Sequence, residues 1–355
     1  MNTEVARART VAVIEGDDAS PEAVRPTIQV LDGMGLPVRW VYPPVGDAAE
    51  AATGSPFPAE SRELIDTADT TFFGSTSSSS GAALFYLRWG KETYANVRPC
   101  RYLPGALSPL INPDDIDFVI VRENLEDLYV RAEGDLAAIA GLGLRGETIR
   151  REVAELAPGR FAVKAITEAG SLRVLRFAFE LARRRRGRLA CTSKYNMLPH
   201  TDGYFRNLAL EVAGDYPDVE LETYLVDDFA CRMIREPQHL DVVVTPNLYG
   251  DILSDAAAAL VGGLGMAASG CYGDRYAYFE SAHGTAPDIQ GQHIINPTAN
   301  LLSAAMMLDH LGFPAAGANL TAAVAEVYRR GRTLTPDQGG SASTEDFCRA
   351  VADLL

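Results

Sequence analysis

Residues 240–260 read LDVVVTPNLYGDILSDAAAAL, and this stretch decides how the chain is to be read. Leu240–Thr245 is a short apolar run, the mark of a buried strand, and Asp251–Leu260 opens an Ala-rich helix. Asp251 and Asp255 stand four apart, so a helix projects both carboxylates from one face. Two carboxylates held that close repel unless a cation lies between them, and hard oxygen donors suit Mg2+ or Mn2+. The spacing also puts Asp251 in the first helical turn, where the helix dipole favours negative charge. The plainer reading is a pair of solvated helix acids. Against it stands the strand that runs into the pair, because an acid at a strand-to-helix crossing often faces a ligand.

Outward from this stretch, strands and helices alternate. Thr10–Glu15 reads as a strand ended by Gly16-Asp17-Asp18, Glu22–Met34 as a helix, Val38–Tyr42 as a strand. Glu63–Ala68 and Thr70–Phe73 repeat the helix-then-strand rhythm, which argues for a largely parallel sheet covered by helices. Phe118–Arg122 and Phe161–Ile166 are strand-like, Ser171–Arg186 is helical, and Pro297–Leu311 is apolar nearly all round, so that helix is expected to be buried. The arginine run 183–186 reads as the solvated end of its helix. No fixed-period repeat and no long linker divides the chain. A second domain would therefore be inserted into the first rather than appended.

The chain has 355 residues, 32 Lys plus Arg against 47 Asp plus Glu, and a net charge of −15. Such a surface repels phosphate backbones and anionic lipids, which argues against nucleic-acid or membrane partners. Five cysteines carry no CxxC or Cys/His zinc spacing and read as free thiols of a reducing compartment. With no signal-peptide pattern and no apolar run of about 18 residues, a cytoplasmic protein is the expectation.

Three further groups bear chemistry. Arg88, Arg98 and Arg122 lie in or beside apolar runs of an acidic chain, where guanidinium forks suit a polyanionic substrate. Their plainer use is in ion pairs with Glu92 or Glu123. The stretch His283-Gly284-Thr285-Ala286-Pro287-Asp288-Ile289, followed by Asn296, is forced into a loop by Gly and Pro, so its backbone can approach a ligand. Asp288 would accept adenosine ribose hydroxyls and repel a 2′-phosphate. No GxGxxG follows the first strand, so the Rossmann fingerprint is absent. The Ser77–Ser80 run reads either as a flexible loop or as hydroxyls for an anion.

Together the segments LRWGKETYANVRP (87–99), VRENLEDLYV (121–130), SKYNMLPHTDGYF (193–205), NLYGDILSDAAAALVGGLG (247–265), HGTAPDIQGQHIINPTANLLSAAMML (283–308) and TPDQGGSAST (335–344) resemble the β-decarboxylating dehydrogenases, the isocitrate/3-isopropylmalate dehydrogenase family. The resemblance spans essentially the whole chain. It implies a non-Rossmann α/β fold with a large cofactor-binding domain (residues 1–94 plus 262–355) and an inserted small α/β domain (residues 95–261). It assigns Arg88, Arg98 and Arg122 to the malate part of the substrate, and Asn196 to a place near substrate and nicotinamide. Tyr129 and Lys194 become the catalytic pair, and Asp227, Asp251 and Asp255 the Mg2+ or Mn2+ ligands. His283, Gly284, Thr285, Ala286, Asp288, Ile289 and Asn296 become the NAD-binding loop. It further implies a homodimer in which Lys194 and Asp227 complete the partner's site. A non-catalytic subunit of the same fold would be expected to have lost some of these groups.

Departures from the family pattern concern the substrate's tail. GDDASPEAV (16–24) stands where relatives carry GDGIGPEV, and SSSSGAALFYLR precedes the first arginine. Leu84 and Phe85 point to an apolar or small substituent, as in alkylmalates or D-malate. Ser77–Ser80, with Ser79 as the substrate-facing hydroxyl, point instead to a carboxylate or phosphonate such as phosphonomethylmalate. Tartrate-like dehydrogenation without loss of CO2 is a further alternative.

Overall fold

The computed structural model describes residues 8–355. Twelve strands are present among them: β1 (Arg9–Ile14), β2 (Val38–Val41), β3 (Thr70–Phe73), β4 (Ala95–Arg101), β5 (Asp117–Glu123), β6 (Glu133–Asp135), β7 (Arg160–Ala162), β8 (Arg188–Ser193), β9 (Glu220–Leu225), β10 (Val242–Thr245), β11 (Ala268–Tyr272) and β12 (Ala277–Ser281). The α-helices are α1 (Ser20–Gly33), α2 (Gly46–Thr53), α3 (Ala59–Thr67), α4 (Gly81–Phe85), α5 (Glu168–Arg183), α6 (Asp202–Val212), α7 (Val226–Arg235), α8 (Asn247–Leu260), α9 (Thr298–His310), α10 (Pro314–Arg330) and α11 (Thr344–Ala352).

Ten strands make one sheet in the order β2-β1-β3-β12-β11-β4-β5-β10-β8-β9, while β6 and β7 pair separately. The two wings are parallel, as the alternating strands and helices predict. The middle is not: β12, β11, β4 and β5 are antiparallel neighbours. Neither the β11–β12 nor the β4–β5 connection contains an α-helix, and antiparallel pairs need no crossover. The chain leaves the first wing through β4 and β5, builds the second, and returns at β11, which is the topology of an insertion.

Each wing is buried on both faces, as parallel strands require. Along β10 the side chains alternate: Val242 and Val244 pack with Val174, Leu175 and Phe179 of α5, and Val243 packs with Phe229 of α7 and Leu253 and Ala257 of α8. In the first wing Val11, Val13, Phe72 and Phe279 pack against α1, α9, α10 and α11. Ala12, Ile14, Phe73 and Tyr278 face the other way, toward α3 and the α4 segment. Nearly every side of α9 is buried, in accord with its apolar sequence. No helix among the described residues is long and apolar enough to cross a membrane.

Three local expectations are corrected. α8 begins at Asn247, with the Pro246 carbonyl accepting from Gly250 N at 3.0 Å, so Asp251 lies in the second turn and side chains rather than the helix end hold its charge. The strand expected over 161–166 stops at Ala162, because Lys164 turns in to meet buried carboxylates. Of the arginine run, Arg183, Arg184 and Arg186 are exposed as expected, whereas Arg185 is part-buried and binds the fully buried Asp241 at 2.9 Å and Asp117 at 2.9 Å.

Candidate active site

β4 and β5 pair so that Asn96 lies opposite Arg122 and Arg98 opposite Ile120. Alternate residues share a face, so Arg98 and Arg122 rise on the side that α8 covers. Arg88 joins them from a single π-helical turn, Tyr86–Gly90, closed by Lys91 N donating to Tyr86 O at 2.9 Å. Such turns commonly mark functional sites. All three arginines are buried, with Arg122 only 1% exposed. Gly250 lets α8 lie this close: a Cβ there would sit 2.6 Å from Arg122 Cγ.

Asp251 is the hub. Arg122 Nη1 and the Tyr129 hydroxyl donate to its two carboxylate oxygens, and Arg98 Nη1 reaches it at 3.4 Å. Arg98 also donates to Ser254 at 2.6 Å and Asp255 at 3.3 Å, and Arg122 to Asn247 Oδ1 at 3.0 and 2.7 Å. Arg98 and Arg122 therefore pair with the α8 acids, not with Glu92 or Glu123. Glu123 instead accepts from the backbone N–H groups of Leu125 and Glu126, and burial pushes its carboxyl up to about 7.

The charge balance suits an anionic guest. Burial, then the Arg98 charge, pulls Arg122 below the usual arginine range. Burial works to raise Asp251, but Arg122, the Tyr129 hydrogen bond and Arg98 outweigh it and hold the carboxyl low. Asp255 moves up through burial, with Asp251's negative charge adding to it against Arg98. Burial and the bond to Asp251 raise the Tyr129 phenol, which keeps it protonated and able to donate.

His283 and Gly284 form a wall common to two hollows. One is the arginine pocket, about 240 Å3, lined by Thr76, Leu84, the three arginines, Tyr129, Asp251 and Glu280. The other is a mainly apolar recess of about 350 Å3, lined by Leu264, Ala286, Ile289, Ile295, Asn296 and Asp337. Two of the expected loop residues stand elsewhere. Thr285 is buried and its hydroxyl donates to Asp18, while Asp288 sits exposed on the turn Pro287–Ile289 outside the recess lining. The acid that does face the recess is Asp337, which accepts from Asn296 Nδ2 at 2.9 Å.

Lys194, Asn196 and Asp227 lie apart from this pocket. Lys194 Nζ donates to Asp227 Oδ1 at 2.5 Å, and that hydrogen bond holds the Asp227 carboxyl low. Asp227 is 65% exposed, and Asn196 is also exposed. No three His, Cys, Asp or Glu side chains among the described residues gather as one metal site. The donor chemistry still fits a hard divalent ion in part. Asp251 and Asp255 offer oxygen donors one helical turn apart at the pocket, and Asp227 offers a third on another surface.

Ser79 is corrected: its hydroxyl accepts from Asp47 N at 2.6 Å and donates to Asp47 Oδ1 at 2.6 Å, which turns it to α2 rather than the arginines. The serine loop is ordered by Asp17, whose Oδ2 accepts from Thr76 Oγ1 at 2.9 Å, Ser77 N at 3.0 Å and Ser80 N at 3.2 Å. Asp18, where relatives have glycine, adopts a positive φ of 52°. The Phe85 ring packs tilted against Trp89, centroids 5.4 Å apart, and with Leu125, Tyr129, Val130 and Arg131 it lines a further recess of about 440 Å3. Asp17, Asp18, Glu280 and Asp337 were not singled out from the sequence as ligand-facing or loop-ordering residues. The available signals were the altered GDD turn and an acid inside TPDQGG.

Residues 10–351 match the profile of the family described as Isocitrate/isopropylmalate dehydrogenase, and the chain belongs to that family. It is accordingly an oxidoreductase of the decarboxylating dehydrogenase class, with that family's mixed α/β fold. Among its relatives, the "3-isopropylmalate/3-methylmalate dehydrogenase" of Methanocaldococcus jannaschii is 42% identical over 347 residues, covering 96% of this chain and 97% of that one. The "Isocitrate/homoisocitrate dehydrogenase" of Thermus thermophilus is 41% identical over 352 residues, covering 97% and 98%. The crystal structure of isocitrate dehydrogenase from Methylococcus capsulatus superposes with a TM-score of 0.84 at 33% identity, covering 98% and 99% of the two chains.

Proposed function

We propose that this chain is a divalent-metal-dependent, NAD+-linked enzyme that oxidises and decarboxylates a malate bearing an apolar or small substituent at carbon 3. The observation that carries the reading is the common wall at His283 and Gly284, which sets an arginine-lined anion pocket against a nucleotide-sized apolar recess. Residues 1–94 with 262–355 would form the cofactor-binding domain and residues 95–261 the smaller one.

Arg88, Arg98 and Arg122 hold the two carboxylates of the malate core, taking up charge that Asp251 only partly offsets. Lys194 and Asp227 come from a second copy of the chain, and Lys194 accepts and relays the proton of the 2-hydroxyl. Exposed apolar groups on the segments that carry them and on α8, which packs against α7, support such an interface: Met197 (63% exposed), Ile234 (51%) and Ile252 (60%). When bound, Mg2+ or Mn2+ held by Asp251, Asp255 and the second copy's Asp227 supplies positive charge for the 2-hydroxyl and the developing enolate oxygen. The nicotinamide supplies the hydride acceptor. Tyr129, kept protonated, delivers its proton to the enol carbon after CO2 departs. Phe85, Trp89 and Val130 receive the alkyl tail, since Ser79 is engaged by Asp47.

A second reading, in which the tail ends in a carboxylate or phosphonate, is favoured by Arg131. Its guanidinium lies 6.0 Å from the Phe85 ring centroid, with no carboxylate within 4.0 Å among the described residues. The deciding experiment follows NADH absorbance and CO2 release with Mn2+ over 3-isopropylmalate, 3-methylmalate, D-malate, tartrate, isocitrate, homoisocitrate and phosphonomethylmalate, with and without chelator. The expected result is chelator-sensitive turnover with an alkylmalate highest. Reduction of NAD+ by none of these acids, or full activity in chelator, overturns the proposal.

A further inference from the structure

Behind the pocket, three side chains meet at one ammonium. Lys164 Nζ lies 2.5 Å from Asp202 Oδ1 and 3.5 Å from Asp127 Oδ1, and both carboxylates are fully buried. The same ammonium sits 4.5 Å from the centre of the Tyr249 ring, whose hydroxyl donates to Asp202 Oδ2 at 2.9 Å. Among the described residues Lys164 is the only cation within 4.0 Å of either acid. Two buried negative charges thus depend on one positive one, an arrangement that resists loss of any member.

Each acid is tied to a different working segment. Asp127 precedes Tyr129 by two residues, adopts a positive φ of 66°, and exchanges backbone hydrogen bonds with Ala165 at 2.8 and 3.3 Å. Its Oδ2 accepts from Leu248 N at 2.9 Å, in the first turn of the helix that bears Asp251. Asp202 Oδ2 accepts from the backbone N–H of Lys194 at 2.9 Å, and Asp202 O accepts from Ser193 Oγ at 3.2 Å. Tyr129 and Asp251 face this chain's own pocket, and Lys194 does not.

We propose that Lys164, Asp127, Asp202 and Tyr249 form a positioning brace that links Tyr129 to Lys194 and thereby couples the two active sites of a dimer. The proposal rests on the shared-site reading above. Lys164 touches neither substrate nor cofactor: it acts through the two loops it holds, one serving its own site and the other serving the partner's.

Mixed dimers test this. One chain carries Tyr129→Phe, the other Lys194→Met, and different tags isolate the pair with a single complete site. That site takes Tyr129 from the Lys194→Met chain and Lys194 from the Tyr129→Phe chain. Lys164→Met is then added to one chain or the other. The brace predicts that kcat falls about tenfold from either placement while KM for the acid changes less than about twofold, as expected for small misplacement of reacting groups. A loss from one placement only, a rise in KM alone, or no loss overturns the coupling and leaves the shared site standing. An inactive mixed dimer before Lys164 is changed removes the shared-site reading, and the coupling with it. Should Lys164→Met fail to fold, Tyr249→Phe decides by the same rule. It removes only a hydroxyl and is expected to lower kcat about threefold from either chain, a smaller displacement of the same groups.

Discussion

The arginine pocket and the Lys194–Asp227 surface are built on opposite plans. Arg122 is 1% exposed and held by Asn247, Asp251 and the Tyr129 ring, whose centroid lies 5.0 Å from its guanidinium carbon. Lys194 and Asp227, at 29% and 65% side-chain exposure, are held at their tips by little except each other. Removing one partner of a buried charged network leaves an uncompensated charge, whereas an exposed pair is screened by water and contributes little. One half of the chemistry is therefore built into the monomer's fold. The Lys194–Asp227 pair is displayed at the surface, where the proposed shared site would have a second copy use it.

The sharpest way to break this contrast is to delete one cation from each side. Both Arg122→Met and Lys194→Met are expected to lower kcat/KM by about 1000-fold or more. Arg122→Met is also expected to lower the melting temperature by several degrees through the stranded Asp251, while Lys194→Met leaves it within about a degree. Equal thermal losses would abolish the distinction between a built and a displayed half.

The pH dependence of stability sharpens the same point from within the buried side. Glu123 titrates near 7 in the folded chain, above its unfolded value. The folded state holds that proton where the unfolded state has lost it, so its contribution is full below the unfolded value and disappears as pH rises through about 7. The amount is of order 3 kcal/mol. Chemical denaturation between pH 4.5 and 8 should show this decline, and Glu123→Gln should flatten it.

Smaller in effect, Gly250→Ala pushes a methyl group into Arg122 and should cost about 1–3 kcal/mol by overpacking, measured by the same denaturation. The smallest expected change is at Asp288. Because it lies on an exposed turn beside the recess, Asp288→Lys should erode a preference for NAD+ over NADP+ by about tenfold, read as the ratio of kcat/KM values. Equal rates with both cofactors in the unaltered protein would deny Asp288 that role.

Much of this was legible in the residues because local periodicity carries it. The four-residue spacing of Asp251 and Asp255 requires only a helix to put both on one face, and the all-apolar β10 could only be interior. Arg98 and Arg122 were recognisable as misfits in apolar runs, although their partners were not. Those partners lie on α8, 125 residues or more along the chain from Arg122, and no local pattern encodes such a distance. The same holds for the antiparallel centre, where β4 meets β11 across the whole second wing. Arg185 shows the limit from the other side: a run of four arginines looks solvated until the fold sets Asp241 beneath it. Asp18 holds its turn without a glycine, since aspartate tolerates the left-handed region better than most residues, and Thr285 donates a hydrogen bond to its carboxylate.

The displayed half of the site is tested most directly by subunit complementation. Tyr129→Phe and Lys194→Met chains, each inactive alone, are dissociated, mixed in equal amounts and allowed to pair again. Random pairing makes about half of all dimers mixed, each with one complete site, so activity should return to about a quarter of the unaltered enzyme's. Mixtures that stay inactive while mixed dimers demonstrably form would show that Lys194 does not serve its neighbour's pocket.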